Sequence, residues 1–316
     1  MTKNSIKEIA FLACLNDTQS LKKLEYVKYF QDGQFLHELF DNIFVNYLQC
    51  VYRYPDIGPL IEKSEKIRKT QLIDFYIDAI KGYNREDVRI ISINDSDYPK
   101  KLISINDPPF IIYQKGDLAC LTKPSIGVVG SRSISTKGVE NVQEIVKTCV
   151  DLGYVIVSGL ALGTDTYAHQ TAIECGGKTI AILPSDIDNI VPTENRDLAK
   201  KIVSSGALIS EITNLTKMHK GRYIERNRIT SALSNAVIVI ESDESGGSIR
   251  QAETAFKHGK TVFIIRADKT DERACRGYKK LLSMGAISID SPHDLPHYLQ
   301  DIKTHESKIS TLADFT

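Results

Sequence analysis

Net charge is the first thing this sequence lacks: 40 Lys and Arg stand against 40 Asp and Glu. That balance excludes a protein that coats nucleic acid or membrane by bulk attraction, although it leaves room for a local basic groove. Long apolar runs are missing too, and none approaches the roughly 18 residues of a bilayer span. The opening Met1-Thr2-Lys3-Asn4-Ser5-Ile6-Lys7 leads into no apolar signal segment. Cysteine pairs are absent: Cys14, Cys50, Cys120, Cys149, Cys175 and Cys275 are scattered, with no C-x-x-C pair and no zinc spacing. Six reduced thiols in a cytoplasmic protein are the expectation, with no metal and no membrane partner. What is present, 42% hydrophobic and 25% charged residues over a length of 316, is an ordinary soluble composition sized for about two domains.

Residues 1–95 are poor in glycine, holding only Gly33, Gly58 and Gly82 of the chain's 19. Apolar residues recur at helical spacing in Ile6, Ile9, Ala10, Ala13 and in Leu36, Phe40, Ile43, Tyr47, which predicts a small helical domain. Over 97–118 the prolines of Tyr98-Pro99 and Asp107-Pro108-Pro109 disfavour helix. A connector, a short strand at Ile111-Ile112-Tyr113 and a turn at Lys115-Gly116-Asp117 are expected there. From about 125 the pattern alternates. Strand-like runs fall at Ile126–Val129, Val155–Val157, Thr179–Leu183, Ala207–Ile209, Ala236–Ile240, Thr261–Ile265 and Ala286–Ile289. Between them lie helical stretches such as Gly138–Leu152, Asp165–Cys175, Arg196–Ser204, Asn227–Leu233 and Ile249–His258. This predicts a mostly parallel α/β sheet with helices on both faces over 96–290. Residues 291–316 are expected to be a polar tail with a short helix.

In such sheets ligands gather at the carboxyl ends of the strands, so the loops after them are where chemistry belongs. Gly130-Ser131-Arg132 follows the first strand. Its glycine lets a phosphate approach the backbone, and Ser131 and Arg132 supply donors. The bland alternative is a tight turn with a solvated arginine. Ser158-Gly159-Leu160-Ala161-Leu162-Gly163-Thr164-Asp165 follows the second strand, with Thr164 as a candidate helix N-cap. No Lys-Ser/Thr follows its last glycine, so it is no Walker A loop. Asp165 and His169 lie four apart and are expected to form a structural pair. Glu194 is either a catalytic carboxylate or a complement to a helix N-terminus. The stretch from Lys217 to Arg228 has five basic residues and one acidic, with Tyr223 interleaved. Cations that track a backbone beside a ring that stacks on a base are what single-stranded nucleic acid needs; a solvated helix start is the alternative. Gly246-Gly247-Ser248 offers backbone amides to a further phosphate, with Ser248 as a candidate cap.

Taken in order, these loops resemble the DprA/Smf family of DNA-processing proteins. The matching segments are Gly130-Ser131-Arg132; Ser158-Gly159-Leu160-Ala161 through Asp165 and His169; Glu194-Asn195-Arg196; Arg226-Asn227-Arg228-Ile229; and Gly246-Gly247-Ser248. The resemblance spans about residues 97–290 and implies an extended Rossmann-like domain. It implies a non-catalytic, dimeric protein that binds single-stranded DNA, protects incoming strands and helps load a RecA-type recombinase during natural transformation, with no cofactor. It places Arg132 on a phosphate with Ser131 assisting. Lys220 and Tyr223 fall where the family has a basic residue and a stacking phenylalanine. Gly159, Gly163, Arg226, Asn227 and Arg228 join the implied DNA-binding set. Leu162 stands where many members are basic, and Arg250-Gln251 where an apolar residue and threonine are common, which leaves a specialised paralogue open. Two enzyme readings compete. A nucleotide-cleaving phosphoribohydrolase is echoed by Gly246-Gly247 and Glu253, though at the wrong spacing. A NAD(P)-dependent oxidoreductase lacks its G-x-G-x-x-G fingerprint.

Overall fold

The computed structural model describes residues 5–17, 60, 62–63, 66–67, 72–83 and 87–300, which fall into two compact units. The first contains the described residues up to Lys115 together with 183–189 and 209–219. It holds helices α1 (Ile6–Asp17), α2 (Leu72–Tyr83) and α3 (Lys100–Ile103) and strands β1 (Arg89–Ser92) and β2 (Ile111–Gly116). The helix expected from Ile6 is α1, opened by a reciprocal cap. Ser5 N–H donates to the Glu8 carboxylate at 2.6 Å, and Glu8 N–H to Ser5 Oγ at 3.3 Å. The Leu36, Phe40, Ile43, Tyr47 pattern and Cys50 lie outside the described residues. At its far end α1 is tied down by Asn16. Its amide donates to the Glu211 carbonyl, and its Oδ1 accepts from Phe110 N–H at 3.0 Å.

The connector over 97–118 differs from expectation in its helical turn and in the length of its strand, which runs through Lys115 and Gly116 of the expected turn. A single helical turn, α3, follows Pro99, which sits at the N-cap position where a missing N–H costs nothing. The strand beyond it is longer than its apolar core suggested, and β1 pairs with it antiparallel, Arg89 opposite Gln114 and Ser92 opposite Ile111.

The second unit covers 116–182, 190–208 and the described residues from 220 to 300. Its strands β3 (Ser125–Val129), β4 (Val155–Ser158), β5 (Thr179–Ile182), β7 (Ala236–Val239), β8 (Thr261–Ile265) and β9 (Ile287–Ile289) run parallel in the order β5-β4-β3-β7-β8-β9. Strand β6 (Ala207–Ser210) straddles the boundary between the units. Helices α4 (Thr136–Asp151), α5 (Thr164–Glu174), α6 (Arg196–Ser205), α7 (Gly221–Leu233), α8 (Gly247–Lys257) and α9 (Glu272–Ser283) separate the strands. This is the Rossmann-like alternation expected.

Strand side chains alternate between faces, so each face builds its own core. Ile126, Val128, Ile156, Ile238, Phe263 and Ile265 pack against Val142, Ile145 and Val146 of α4 and Ala168 and Ala172 of α5. Val237, Val239, Val262 and Ile264 face the other way, against Ile249, Ala252 and Ala255 of α8 and Leu281 of α9. The segment after Ser291 is helical at 295–300, and Leu295 and Leu299 are buried in the first of these cores. The chain beyond 300 lies outside the described residues.

Candidate functional site

From β3 the chain steps outward through β4 and β5, then returns to the other side of β3 with β7. The direction of winding reverses at β3, which makes a topological switch point with a crevice beyond the strand ends. A cavity of about 420 Å³ lies among the loops that leave β3, β4 and β7. The first loop contributes Gly130, Ser131, Arg132 and Ser133; the second Ala161 and Asp165; the third Asp243, Gly246, Gly247 and Ser248. The first turns of α7 add Tyr223, Ile224, Arg226 and Asn227, and Gln251 of α8 completes the lining. Nine sequence-predicted residues therefore converge: Gly130, Ser131, Arg132, Tyr223, Arg226, Asn227, Gly246, Gly247 and Ser248. Gly159, Gly163, Lys220 and Arg228 are not among the lining residues.

The Gly130–Ser133 loop has a defined shape. Ser131 Oγ donates to the Ser133 carbonyl at 2.9 Å and accepts from Ser133 N–H at 3.1 Å. Its hydroxyl is thus spent on closing the loop. Arg273 of α9 reaches the same Ser133 carbonyl through Nη2, at 2.8 Å. Arg132 is exposed, and its guanidinium carbon lies 5.2 Å from the centroid of the Tyr223 ring. A cation over an aromatic face at that distance is attracted by the ring quadrupole.

Beneath this loop lies the start of α5. Thr164 N–H and Oγ1 both donate to the Ser131 carbonyl, at 3.0 and 3.1 Å. Gly163 has φ +75°, and a Cβ there would stand 2.4 Å from the Ser131 and Arg132 carbonyl oxygens. Only glycine fits both the conformation and the approach. Thr164 is therefore not the N-cap that its sequence suggested; Gly163 holds that position, and the Thr164 hydroxyl pins the neighbouring loop. Ser248 is likewise no cap. It lies inside α8, buried, with its hydroxyl 2.7 Å from Ser242 Oγ, and Gly246 is the N-cap.

Asp165 and His169 take different partners rather than each other. Asp165 accepts from Gly159 N–H at 3.1 Å and Ala161 N–H at 3.3 Å. Burial pushes its carboxyl above the usual range, against the pull of Arg226 and these hydrogen bonds. His169 Nδ1 lies 2.7 Å from Thr179 Oγ1. Asn195 gives the Glu194-Asn195-Arg196 segment its place: its Nδ2 donates to the Leu160 carbonyl and to Thr166 Oγ1, both at 2.9 Å. Glu194 is exposed and outside the cavity, as is Glu253, on which the nucleotide-cleaving alternative depended.

The basic stretch divides. Lys217 and Lys220 are exposed and Arg228 is half-buried, whereas Arg222 and Arg226 are buried inside α7. Arg222 Nη1 pairs with Glu225 at 3.0 Å. Arg226 Nη1 donates to the Ile182 carbonyl at 3.0 Å. The charge count of the stretch therefore overstates what faces solvent. Sequence reasoning also missed Glu241. Its carboxylate accepts from Ser135 N–H at 3.0 Å and from the Ser135 hydroxyl, while Ser135 caps α4 through Gly138 N–H. An acid that directly follows a strand near such a cap was the available signal.

Comparison with known proteins finds relatives in both sequence and fold. The model of the family described as DNA recombination-mediator protein A matches residues 89–300. The chain is 36% identical over 218 residues to the DNA processing protein DprA of Bacillus subtilis, covering 69% of this chain and 73% of that protein. To Protein Smf of Borreliella burgdorferi it is 30% identical over 303 residues, covering 94% of this chain and 90% of that one. The X-ray structure of DprA from Streptococcus pneumoniae superposes with a TM-score of 0.72 at 28% identity, over 94% of this chain and 98% of that chain. DNA processing protein A from Helicobacter pylori, whose structure concerns its single-stranded DNA binding mode, gives 0.61 at 28% identity over 68% and 96%.

Proposed function

The chain belongs to the DNA recombination-mediator protein A family, and from that premise we propose that it is a non-catalytic, cytoplasmic single-stranded DNA-binding protein that works at the cavity beyond β3. The observation that carries this reading is the pairing of exposed Arg132 with Tyr223 at 5.2 Å on the rim of that cavity. A guanidinium supplies a charge-assisted fork to a phosphate, and a ring beside it offers a face to an unstacked base. The amides that open α8 at Gly247 and Ser248 add partial positive charge to the same space. Lys220, exposed at the start of α7, extends the track along the backbone. A duplex keeps its bases stacked and denies Tyr223 a partner, so single strands are favoured.

Protection of incoming strands, delivery to a RecA-type recombinase and assembly as a homodimer complete the proposal. They are supported by the family membership, and no cofactor is required. Arg132→Ala is expected to weaken binding to every single-stranded sequence alike and to flatten the log–log salt dependence by about 0.7, the share of one phosphate contact. Unchanged affinity in that variant removes the Gly130–Ser133 loop from the interface. The non-catalytic part is tested by incubation with nucleoside monophosphates. No free base is expected, and base released in excess over protein establishes a nucleotide-cleaving enzyme instead.

A further inference from the structure

Arg226 is the deepest cation beside the cavity. It is 8% exposed, and its guanidinium occupies the volume that a side chain at position 159 would take. A Cβ on Gly159 would lie 1.7 Å from Nη1. A buried cation persists only with a counter-charge and with acceptors for its donors. The Ile182 carbonyl at the end of β5 is one acceptor, and Asp165 is the counter-charge. Asp165 in turn holds the Gly159 and Ala161 amides. One turn further, Gly163 and Thr164 carry the Ser131 and Arg132 carbonyls. An unbroken set of contacts thus runs from Arg226 through the Gly159–Thr164 turn to the loop that presents Arg132.

Resting on the reading of the cavity as a single-strand interface, we infer that Arg226 is a positioning residue. It fixes the Gly159–Thr164 turn, and through it the Gly130–Ser133 loop, so that Arg132 meets a DNA phosphate while Arg226 itself touches none. A direct phosphate ligand needs donors that solvent and ligand can reach. Although Arg226 borders the cavity, its Nη1 is already committed to a carbonyl, its Nε is buried without a partner, and its Nη2 lies against Gly159, where a Cβ would come within 2.3 Å of it. Arg132, by contrast, is exposed.

Two cations that differ in this way are separated by salt dependence and by coupling. The full chain is titrated with a fluorescein-labelled oligothymidylate at several salt concentrations, as wild type, Arg132→Ala, Arg226→Gln and the double variant, each below its measured unfolding temperature. Arg226→Gln is expected to weaken binding about tenfold, the size of one misplaced charge-assisted contact, with the salt slope unchanged. The double variant should bind within about twofold of Arg132→Ala, because a loop without its arginine gains little from being held in place. A slope reduced by about 0.7 in Arg226→Gln makes Arg226 a phosphate ligand and overturns the inference. Losses that add in the double variant overturn it too, since a merely structural role acts independently of Arg132. Should Arg226→Gln fail to fold, Gly159→Ala keeps every charge and displaces the guanidinium. It is expected to weaken binding at an unchanged slope, and wild-type affinity in that variant contradicts the inference. A wild-type chain that binds no oligothymidylate defeats the reading of the site itself, a result distinct from all of these.

Discussion

Tyr223 shows what a single side chain contributes here. Its ring lines the cavity beside Arg132, and on the proposed function the aromatic face rather than the hydroxyl is its working part. Tyr223→Ala is expected to cost ~1–3 kcal/mol of single-strand affinity, the worth of one stacked base. Tyr223→Phe should stay within about 0.5 kcal/mol of wild type. Equal losses in fluorescence titrations of the two variants would place the hydroxyl, not the ring, at the interface. His169 is a second residue with a measurable signature. The Thr179 hydroxyl donates to the Ile156 carbonyl at 3.0 Å, so its oxygen accepts from His169, which puts the ring proton on Nδ1. Burial, followed by the charge of Arg226, pushes the His169 pKa down to about 3. The unfolded chain takes up this proton below about 6.5, while the folded protein refuses it until much lower pH. The contribution of neutral His169 is therefore whole above about 6.5 and falls as pH drops toward 3, by up to about 1.4 kcal/mol per pH unit. Urea unfolding between pH 7 and 4 should show a flatter pH dependence in His169→Gln than in wild type. An identical dependence in the two proteins contradicts this protonation state. That Gly130 and Arg132 lie on the loop beyond β3, where they line the cavity, was legible from type and position alone, but the partners of Ser131, Thr164 and Ser248 were not. A hydroxyl's acceptor is chosen by three-dimensional neighbours, such as the Ser133 carbonyl or Ser242 Oγ, that sequence spacing does not reveal.

At the scale of elements, the parallel strands were legible as short β-branched runs, which in β3, β4, β5 and β7 are buried on both faces. Two helices were not, for physical reasons. The sequence placed the start of α7 at Asn227, whereas the helix begins at Gly221. Its first two turns bury Arg222, Arg226 and Asn227, polar residues that an apolar periodicity cannot register. Helix α9 was missed because its buried stripe is Ala274, Gly277 and Leu281, with a glycine at the centre. That glycine lies against the Ser242 carbonyl, where a Cβ would come within 1.9 Å, so the close approach of helix to loop replaces an apolar side chain. The joint between the first two loops gives a prediction at this scale. Gly163→Ala forces a side chain into a left-handed φ and into the Arg132 carbonyl. It should destabilise the protein by about 1–3 kcal/mol and also weaken single-strand binding, because the loop above must move. Denaturant midpoints and titrations read the two effects, and a variant that keeps both values would show that the loops are independent.

For the molecule as a whole, neutrality of charge is compatible with focused binding. The 40 cations and 40 anions of the chain cancel in sum, yet Arg132 and Lys220 remain exposed at the strand-end loops. Burial of Arg222 and Arg226 makes that basic track narrower than the sequence alone implied. Affinity on this account comes from a few phosphate contacts combined with base stacking, not from a charged surface. The measurement that tests this most directly compares one sequence in two forms, an unstructured oligonucleotide and its duplex, titrated against the full chain at two salt concentrations. The account predicts single-strand binding at least about tenfold tighter than duplex, persisting at the higher salt because stacking is insensitive to screening. Equal affinity for the two forms, or a preference for duplex, would contradict it.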